Sequence, residues 1–326
     1  MCDRMIQFGY TLSSEEHAPS LLVDNAVRAE ELGFSFLSLS DHYHPWVSEQ
    51  GHSPFAWTVL GAIAARTSTI DVGVGVTCPI MRIHPAVVAH AAATTALLFE
   101  GRFFFGVGTG EALNEHITGE RWPVPEIRRE MLEEAVVVMR CLWTGETIDH
   151  HGTYFTVENA RLFDPPAEDI PVIVSGFGDA AVDLAAAIGD GYWGHSPDPD
   201  AVDRFAKSGG KGPRYSQIHV CWAEDASDAR ATVHRVWPNA GLSGQLSQDL
   251  PTWTHFEQAV ETVREEDATA SVPCGPDVEE FVDATRKFGD AGYDHVYFHQ
   301  IGPDQAGFMS FWERELRPAL DERLAA

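Results

Sequence analysis

Short apolar runs and longer amphipathic stretches alternate along this chain. Residues 6–10 read as a strand, and 20–32 as a helix whose Leu21, Leu22, Ala26, Ala29 and Leu32 share one face before Gly33 stops it. Strands follow at 34–40, 70–76 and 103–107, and helices at 54–67, 85–98 and 130–143. Segment 147–156 breaks the rhythm and predicts a small hairpin turning at His151-Gly152, outside the main sheet. Strands at 172–175, 192–194 and 217–222 then alternate with helices at 180–188 and 199–208. A weakly patterned stretch, 223–272, carries helices at 226–236 and 253–265. A helix at 276–291, a strand at 294–299 and an amphipathic tail helix from Asp304 complete the chain. Eight strands separated by helices predict parallel pairing through right-handed crossovers. A closed (β/α)₈ TIM barrel fits that count better than an open doubly wound sheet. We read 1–326 as one domain, with an insertion before the last βα unit.

In such a barrel the chemistry gathers at the carboxyl ends of the strands. The second strand ends in Ser40-Asp41-His42-Tyr43-His44-Pro45-Trp46, which offers an acceptor and a titratable imidazole side by side. A capped loop with a surface histidine is the plainer account of an isolated Asp-His pair. Glycines inside the third strand, Gly73, Gly75 and then Val76, Thr77, Cys78, mark either a bulge against something flat or small-residue packing. The fourth strand runs into Gly106-Val107-Gly108-Thr109-Gly110-Glu111, a glycine-rich turn able to present backbone N–H groups, with Glu111 a candidate acid or base. Its glycines do not match the dinucleotide fingerprint, and no opening βαβ unit surrounds them. Ser175-Gly176-Phe177-Gly178-Asp179 leads into a helix N-terminus suited to an anion. His195 and His299 each follow or end a strand, as pocket walls or as ordinary surface groups. No HExxH or comparable spacing occurs, so no metal site is expected.

Composition narrows the partners. Forty-nine acidic against 22 basic residues give a net charge of −27, which repels nucleic acid. No run of about eighteen apolar residues predicts a membrane span, and the N-terminal residues lack a secretory signal pattern. Five scattered cysteines (Cys2, Cys78, Cys141, Cys221, Cys274) form no CxxC pair. They argue for a reducing, cytoplasmic setting rather than a disulfide framework.

Several runs together resemble the luciferase-like oxidoreductases, and more narrowly their coenzyme F420-dependent glucose-6-phosphate dehydrogenase branch. They are GY–x2–S–x–E–x2–AP from Gly9 to Pro19, SDHYHPW from Ser40, GHSPFAW from Gly51, HPAVVAHAAAT from His84 and GVGTGEALNEHITG from Gly106. The resemblance implies hydride transfer between a substrate carbon and C5 of the deazaflavin. It implies that Asp41 contacts the cofactor, that His42, Trp46 and Glu111 are catalytic, and that Glu15 lines the substrate pocket, where His195 could supply a hydrogen bond to a neutral substrate. Thr109, Gly110, Asn114, Phe177, Gly178, Ala180 and Ala181 would hold the cofactor's polar tail. A non-proline cis peptide of the family would fall at Gly75-Val76, behind the cofactor ring. A homodimer is also implied.

Departures from the branch carry as much information. Cys78 stands where a threonine is expected beside the cofactor and is a poorer donor. Asp198, Gln245 and Ala268 or Thr269 stand where cations would receive a sugar phosphate. The expectation is therefore an F420-dependent oxidoreductase acting on a neutral secondary alcohol or sugar, not on glucose 6-phosphate. An FMN-dependent luciferase-like reductase or monooxygenase is the alternative, and a non-catalytic flavin-binding barrel is a third reading.

Overall fold

The computed structural model describes residues 6–242 and 244–324; Cys2 lies outside the described residues. The first half runs β1 (Gln7–Leu12), α1 (Pro19–Glu31), β2 (Phe36–Leu39), α2 (Ala56–Ala64), β3 (Asp71–Thr77), α3 (Pro85–Phe99) and β4 (Phe103–Val107). After it come α4 (Ala112–Glu115), α5 (Pro125–Trp143), the strands β5 (Ile148–His151) and β6 (Thr156–Ala160), β7 (Val172–Ser175), α6 (Asp179–Ile188), β8 (Gly191–Gly194) and α7 (Pro199–Lys207). β9 (Arg214–Val220) leads into α8 (Ala226–Val236), α9 (Leu246–Asp249), α10 (Trp253–Val260) and α11 (Glu265–Ala268). The chain finishes with α12 (Val278–Asp290), β10 (His295–Gln300), α13 (Gln305–Phe311), a π turn at Trp312–Leu316 and α14 (Arg317–Leu324).

Eight parallel strands close in the order β1-β10-β9-β8-β7-β4-β3-β2, while β5 and β6 pair antiparallel outside the barrel. Alternation along each strand sorts the side chains. Phe8, Tyr10 and Leu12 of β1 face the helices, and Leu37 and Leu39 of β2 do the same. The lumen is filled instead by Phe36, Phe104, Ile173, Trp193, Tyr215 and Tyr297. This aromatic floor needs gaps on neighbouring strands. A Cβ on Gly9 would come within 2.4 Å of the Phe36 ring, and one on Gly73 within 2.2 Å of Phe104. Only the space above the floor, at the carboxyl ends of the strands, is left for a ligand.

Helix starts follow local chemistry. Proline occupies the first turn of α1, α3, α5 and α7, where its missing N–H has no intrahelical partner to lose. Asp198, Asp225 and Asp277 accept backbone N–H groups at the starts of α7, α8 and α12. The structure differs from the sequence reading at several element ends; α2 covers only Ala56–Ala64 of the expected 54–67, and the hairpin turns over 152–155 rather than at His151-Gly152. α5 begins at Pro125 rather than 130, because that proline opens the helix. The helix expected over 253–265 stops at Val260, and a separate turn, α11, starts at Glu265. β9 starts at Arg214 rather than 217, since Arg214 and Tyr215 pair with Tyr192 and Trp193 of β8. The tail helix is interrupted by the π turn just before Pro318, whose ring nitrogen cannot bond back to the preceding turn.

Candidate active site

Three clusters meet above the aromatic floor. The first stands at the ends of β1 and β2. Glu15 is buried, with Oε2 accepting from the Ser40 hydroxyl at 2.6 Å and the Ser13 hydroxyl at 3.1 Å. Its Oε1 lies 3.4 Å from His42 Nε2. Burial by itself would raise the Glu15 pKa, but the facing His42 and the Ser40 hydroxyl hold it below the ordinary value. His42 Nδ1 lies 3.2 Å from the His44 carbonyl oxygen, which only accepts, so Nδ1 carries the proton and Nε2 faces the carboxylate. Trp46 packs on the His42 ring at 4.9 Å and meets Phe256 of α10 edge-on at 5.1 Å.

The second cluster is an ion-pair core beside β3 and β4. Asp41 Oδ2 accepts from Thr77 Oγ1 at 2.7 Å, and Oδ1 pairs with the Arg82 guanidinium at 3.0 Å. Arg82 also sits 3.5 Å from Glu115 Oε1, and the Glu115 carboxylate receives the Arg82 backbone N–H at 2.7 Å. Burial pushes the Glu115 carboxyl up to about 7, against the lowering pull of Arg82. Neither Arg82 nor Glu115 was singled out from sequence. The available signal was an arginine just past the third strand in a chain poor in cations, and a carboxylate one helical turn beyond Glu111. Asn114 is buried, and its Oδ1 accepts the Tyr43 and His44 N–H groups at 2.9 and 3.1 Å, so it ties the β4 loop to the β2 loop. Its amide reaches Glu111 Oε2 at 3.4 Å, leaving that half-buried carboxylate otherwise open.

The wall between these clusters and β7 is made of small residues. The Gly75-Val76 peptide is cis and lies where the β3–β4 ladder is interrupted between Val74 and Thr77. A Cβ on Gly108 would press within 2.9 Å of Val76, and one on Gly110 within 2.5 Å of the Cys78 sulfur. Cys78 is buried, which keeps its thiol protonated. Thr109 and Gly110 are half-buried on the mouth side of that wall. Further round, Phe177, Gly178 and Ala180 are exposed and Ala181 half-buried at the start of α6. Gly178 has φ 81° with no atom within 4 Å of an added Cβ, and no side chain caps α6, so its first N–H groups stand open. Phe177 packs edge-on against His195 at 5.2 Å. His195 is open to solvent, yet enough protein surrounds the ring to depress its pKa, as expected of a side chain standing in a concave mouth.

The third cluster joins β9 and β10; of its members only His299 was noted from sequence. His299 Nε2 lies 2.5 Å from Glu16 Oε1, and His299 Nδ1 lies 2.8 Å from His219 Nδ1. Over this side sits the 223–272 insertion. It is fastened to the loop that carries Trp46 by Gln50 Nε2 donating to the Val236 carbonyl at 3.0 Å, by Ser48 on Glu257, and by an Arg235–Glu49 ion pair.

A profile of the luciferase-like monooxygenase family matches residues 5–295. The chain belongs to that family. Among this luciferase-like chain's relatives is the F420-dependent glucose-6-phosphate dehydrogenase of Microbacterium testaceum, 33% identical over 98% of this chain and 99% of that one. The enzyme of the same name from Segniliparus rotundus is 34% identical over 97% and 98%. A solved structure of an F420-dependent secondary alcohol dehydrogenase, in complex with an F420-acetone adduct, superposes with a TM-score of 0.89. It is 30% identical, over 97% of this chain and 99% of that one. Against this background the departures of the luciferase-like chain take on geometry. Asp198 caps α7, accepting from the Asp200 and Ala201 N–H groups at 3.0 and 3.1 Å. Gln245 and Thr269 are neutral, and Ala268 is buried. Arg204 is held between Asp179 at 2.8 Å and Asp183 at 2.6 Å, and Arg264 by Asp267 at 2.9 Å and by Glu266.

Proposed function

We propose that the protein is an F420-dependent oxidoreductase that oxidises an uncharged secondary alcohol or sugar and does not use glucose 6-phosphate. The observation that carries the substrate half of this reading is Asp198, a carboxylate after β8 at the start of α7, where a cation would be needed for a phosphate dianion. The residues present fit the deazaflavin. The glycine wall of β3 and β4 leaves a flat face, and the open start of α6 supplies N–H groups for a phosphate in its tail. Asp41, Gly75, Val76 and Cys78 would line the ring side, and Thr109, Gly110, Asn114, Phe177, Gly178, Ala180 and Ala181 the tail.

When bound, F420 supplies a two-electron hydride acceptor at C5. His42 takes the substrate's hydroxyl proton at Nε2, the nitrogen left free by its Nδ1–H bond to the His44 carbonyl. Glu15, ionised and 3.4 Å away, stabilises the imidazolium so formed. Trp46 fixes the imidazole plane and screens it from water. Glu111 is the second polar contact to the reacting oxygen.

The decisive assay follows deazaflavin absorbance across phosphorylated and neutral alcohols. Charge-assisted contacts to phosphate contribute about 1.5–3 kcal/mol each, so losing three weakens phosphosugar binding by roughly a thousandfold or more. We expect turnover of uncharged alcohols and none with glucose 6-phosphate; efficient turnover of the phosphosugar refutes the reading. Exposed Phe55, Val87, Leu97 and Leu98, on and beside α2 and α3, support a homodimer, which sedimentation tests.

A further inference from the structure

The line Glu16–His299–His219 has no part in the proton transfer assigned to His42, and it ends inside the barrel mouth. Glu16 is anchored at one end, with Oε2 accepting the Gly302 N–H at 2.7 Å and Oε1 bound to His299. The Glu16 and His299 side chains are 3% and 2% exposed, so neither exchanges its partner for water. Trp237 of the insertion packs edge-on against His299 at 4.5 Å and closes that flank.

His219 stands in the lumen. Tyr215 belongs to the aromatic floor, and Gln217, two residues on, donates to Thr11 of β1 at 3.0 Å across the inner face of β10. Period-two alternation places His219 on that same inner side, one layer higher. His219 and His299 are register partners on β9 and β10. The His219 ring is half-buried, and its Nε2 has no hydrogen-bond partner among the described residues.

Donor bookkeeping fixes the chemistry of that nitrogen. An ionised Glu16 only accepts, so His299 Nε2 carries a hydrogen. The Nδ1–Nδ1 contact holds one proton, and with that proton on His219 the His299 Nδ1 is the lone pair that accepts it. The His219 Nε2 is then left as an acceptor. Burial depresses the His219 pKa well below its ordinary value, so the ring stays uncharged.

We propose that His219 is a specificity-determining residue of the substrate side. Its Nε2, held as an acceptor by His299 and Glu16, takes a hydrogen bond from a substrate hydroxyl other than the one being oxidised. The preferred substrate is then a neutral polyol or sugar rather than an alcohol with a hydrocarbon chain. This rests on the function proposed above and narrows it. A His–His contact that merely tethered β9 to β10 would matter equally for every substrate.

The test compares kcat/KM with F420 for a panel of four- to six-carbon polyols and aldoses against 2-propanol and 2-butanol. In His219→Leu the ratio of polyol to simple-alcohol efficiency should fall roughly five- to tenfold or more, the scale of one unsatisfied hydroxyl. Glu16→Gln should lower it in the same direction, by less. Nitrogen-15 spectra of histidine-labelled wild type give a second readout that needs neither variant to fold, and His219 should be in the Nδ1–H tautomer. An unchanged ratio in a folded His219→Leu, an Nε2–H tautomer, or a wild type that oxidises the simple alcohols but no polyol each overturns the proposal. A wild type that oxidises no uncharged alcohol at all refutes the function itself, and so is distinguishable from these.

Discussion

Glu115→Gln isolates the ion-pair core and has a calculable signature. Folding raises the Glu115 carboxyl from 4.5 to about 7, chiefly through burial. Between those values the folded state holds a proton that the unfolded chain has released, so stability falls as pH rises through this window. The full difference is about 3.4 kcal/mol, at 1.36 kcal/mol per unit. Roughly 2.5 kcal/mol of it develops between about pH 5 and pH 8, because the unfolded carboxyl is already largely ionised at the lower limit. Glutamine keeps an oxygen to accept the Arg82 backbone N–H but cannot ionise, and Arg82 retains Asp41 at 3.0 Å. The substitution should therefore look about 2.5 kcal/mol more favourable at about pH 8 than at about pH 5, relative to wild type. Urea denaturation of both proteins at the two pH values measures this. A stability difference that is the same at both, within about 0.5 kcal/mol, would refute the claim that burial rather than Arg82 governs Glu115.

Other outcomes follow from the same geometry. Asp41→Asn keeps the shape but removes the charge opposite Arg82, and titration should show F420 bound at least tenfold more weakly, about 1.4 kcal/mol. Glu15→Gln leaves His42 without its stabilising carboxylate; kcat should drop at least tenfold, with little change in F420 affinity by fluorescence. Phe256→Ala removes a fully buried ring from beneath Trp46, a loss of about 3–5 kcal/mol. Limited proteolysis should then cut the insertion while the barrel stays intact.

The barrel was legible because its evidence is local. Alternating apolar runs and proline helix starts lie within a dozen residues of one another, and every strand was found with its neighbours in order. The SDHYHPW and GVGTGEALNE runs point to His42, Trp46 and Glu111 in the same local way, and all three stand on the loops after β2 and β4. Arg82 and Glu115 escaped because their meaning is a contact. Arg82 reaches back forty-one residues to Asp41, and no periodicity marks such a pair. Glu16 and His299 are 283 residues apart and meet only when β10 closes against β1. Asn114 shows the converse. Its place in a glycine-rich run suggests a ligand, but nothing in that run announces the two backbone N–H groups of the β2 loop that its oxygen also accepts.

Fastening the insertion to the loop that bears Trp46 has an evolutionary consequence. Gln50, Ser48 and Glu49 link that loop to Val236, Glu257 and Arg235 in the 223–272 segment, while the start of α6 follows β7, three strands round the barrel from β2. Changes in α8 to α10 therefore shift Trp46, and the space in front of His42, before they reach the start of α6. Selectivity becomes a heritable trait separable from the redox chemistry, and libraries confined to 223–272 should redirect the protein among substrates while it keeps one and the same coenzyme.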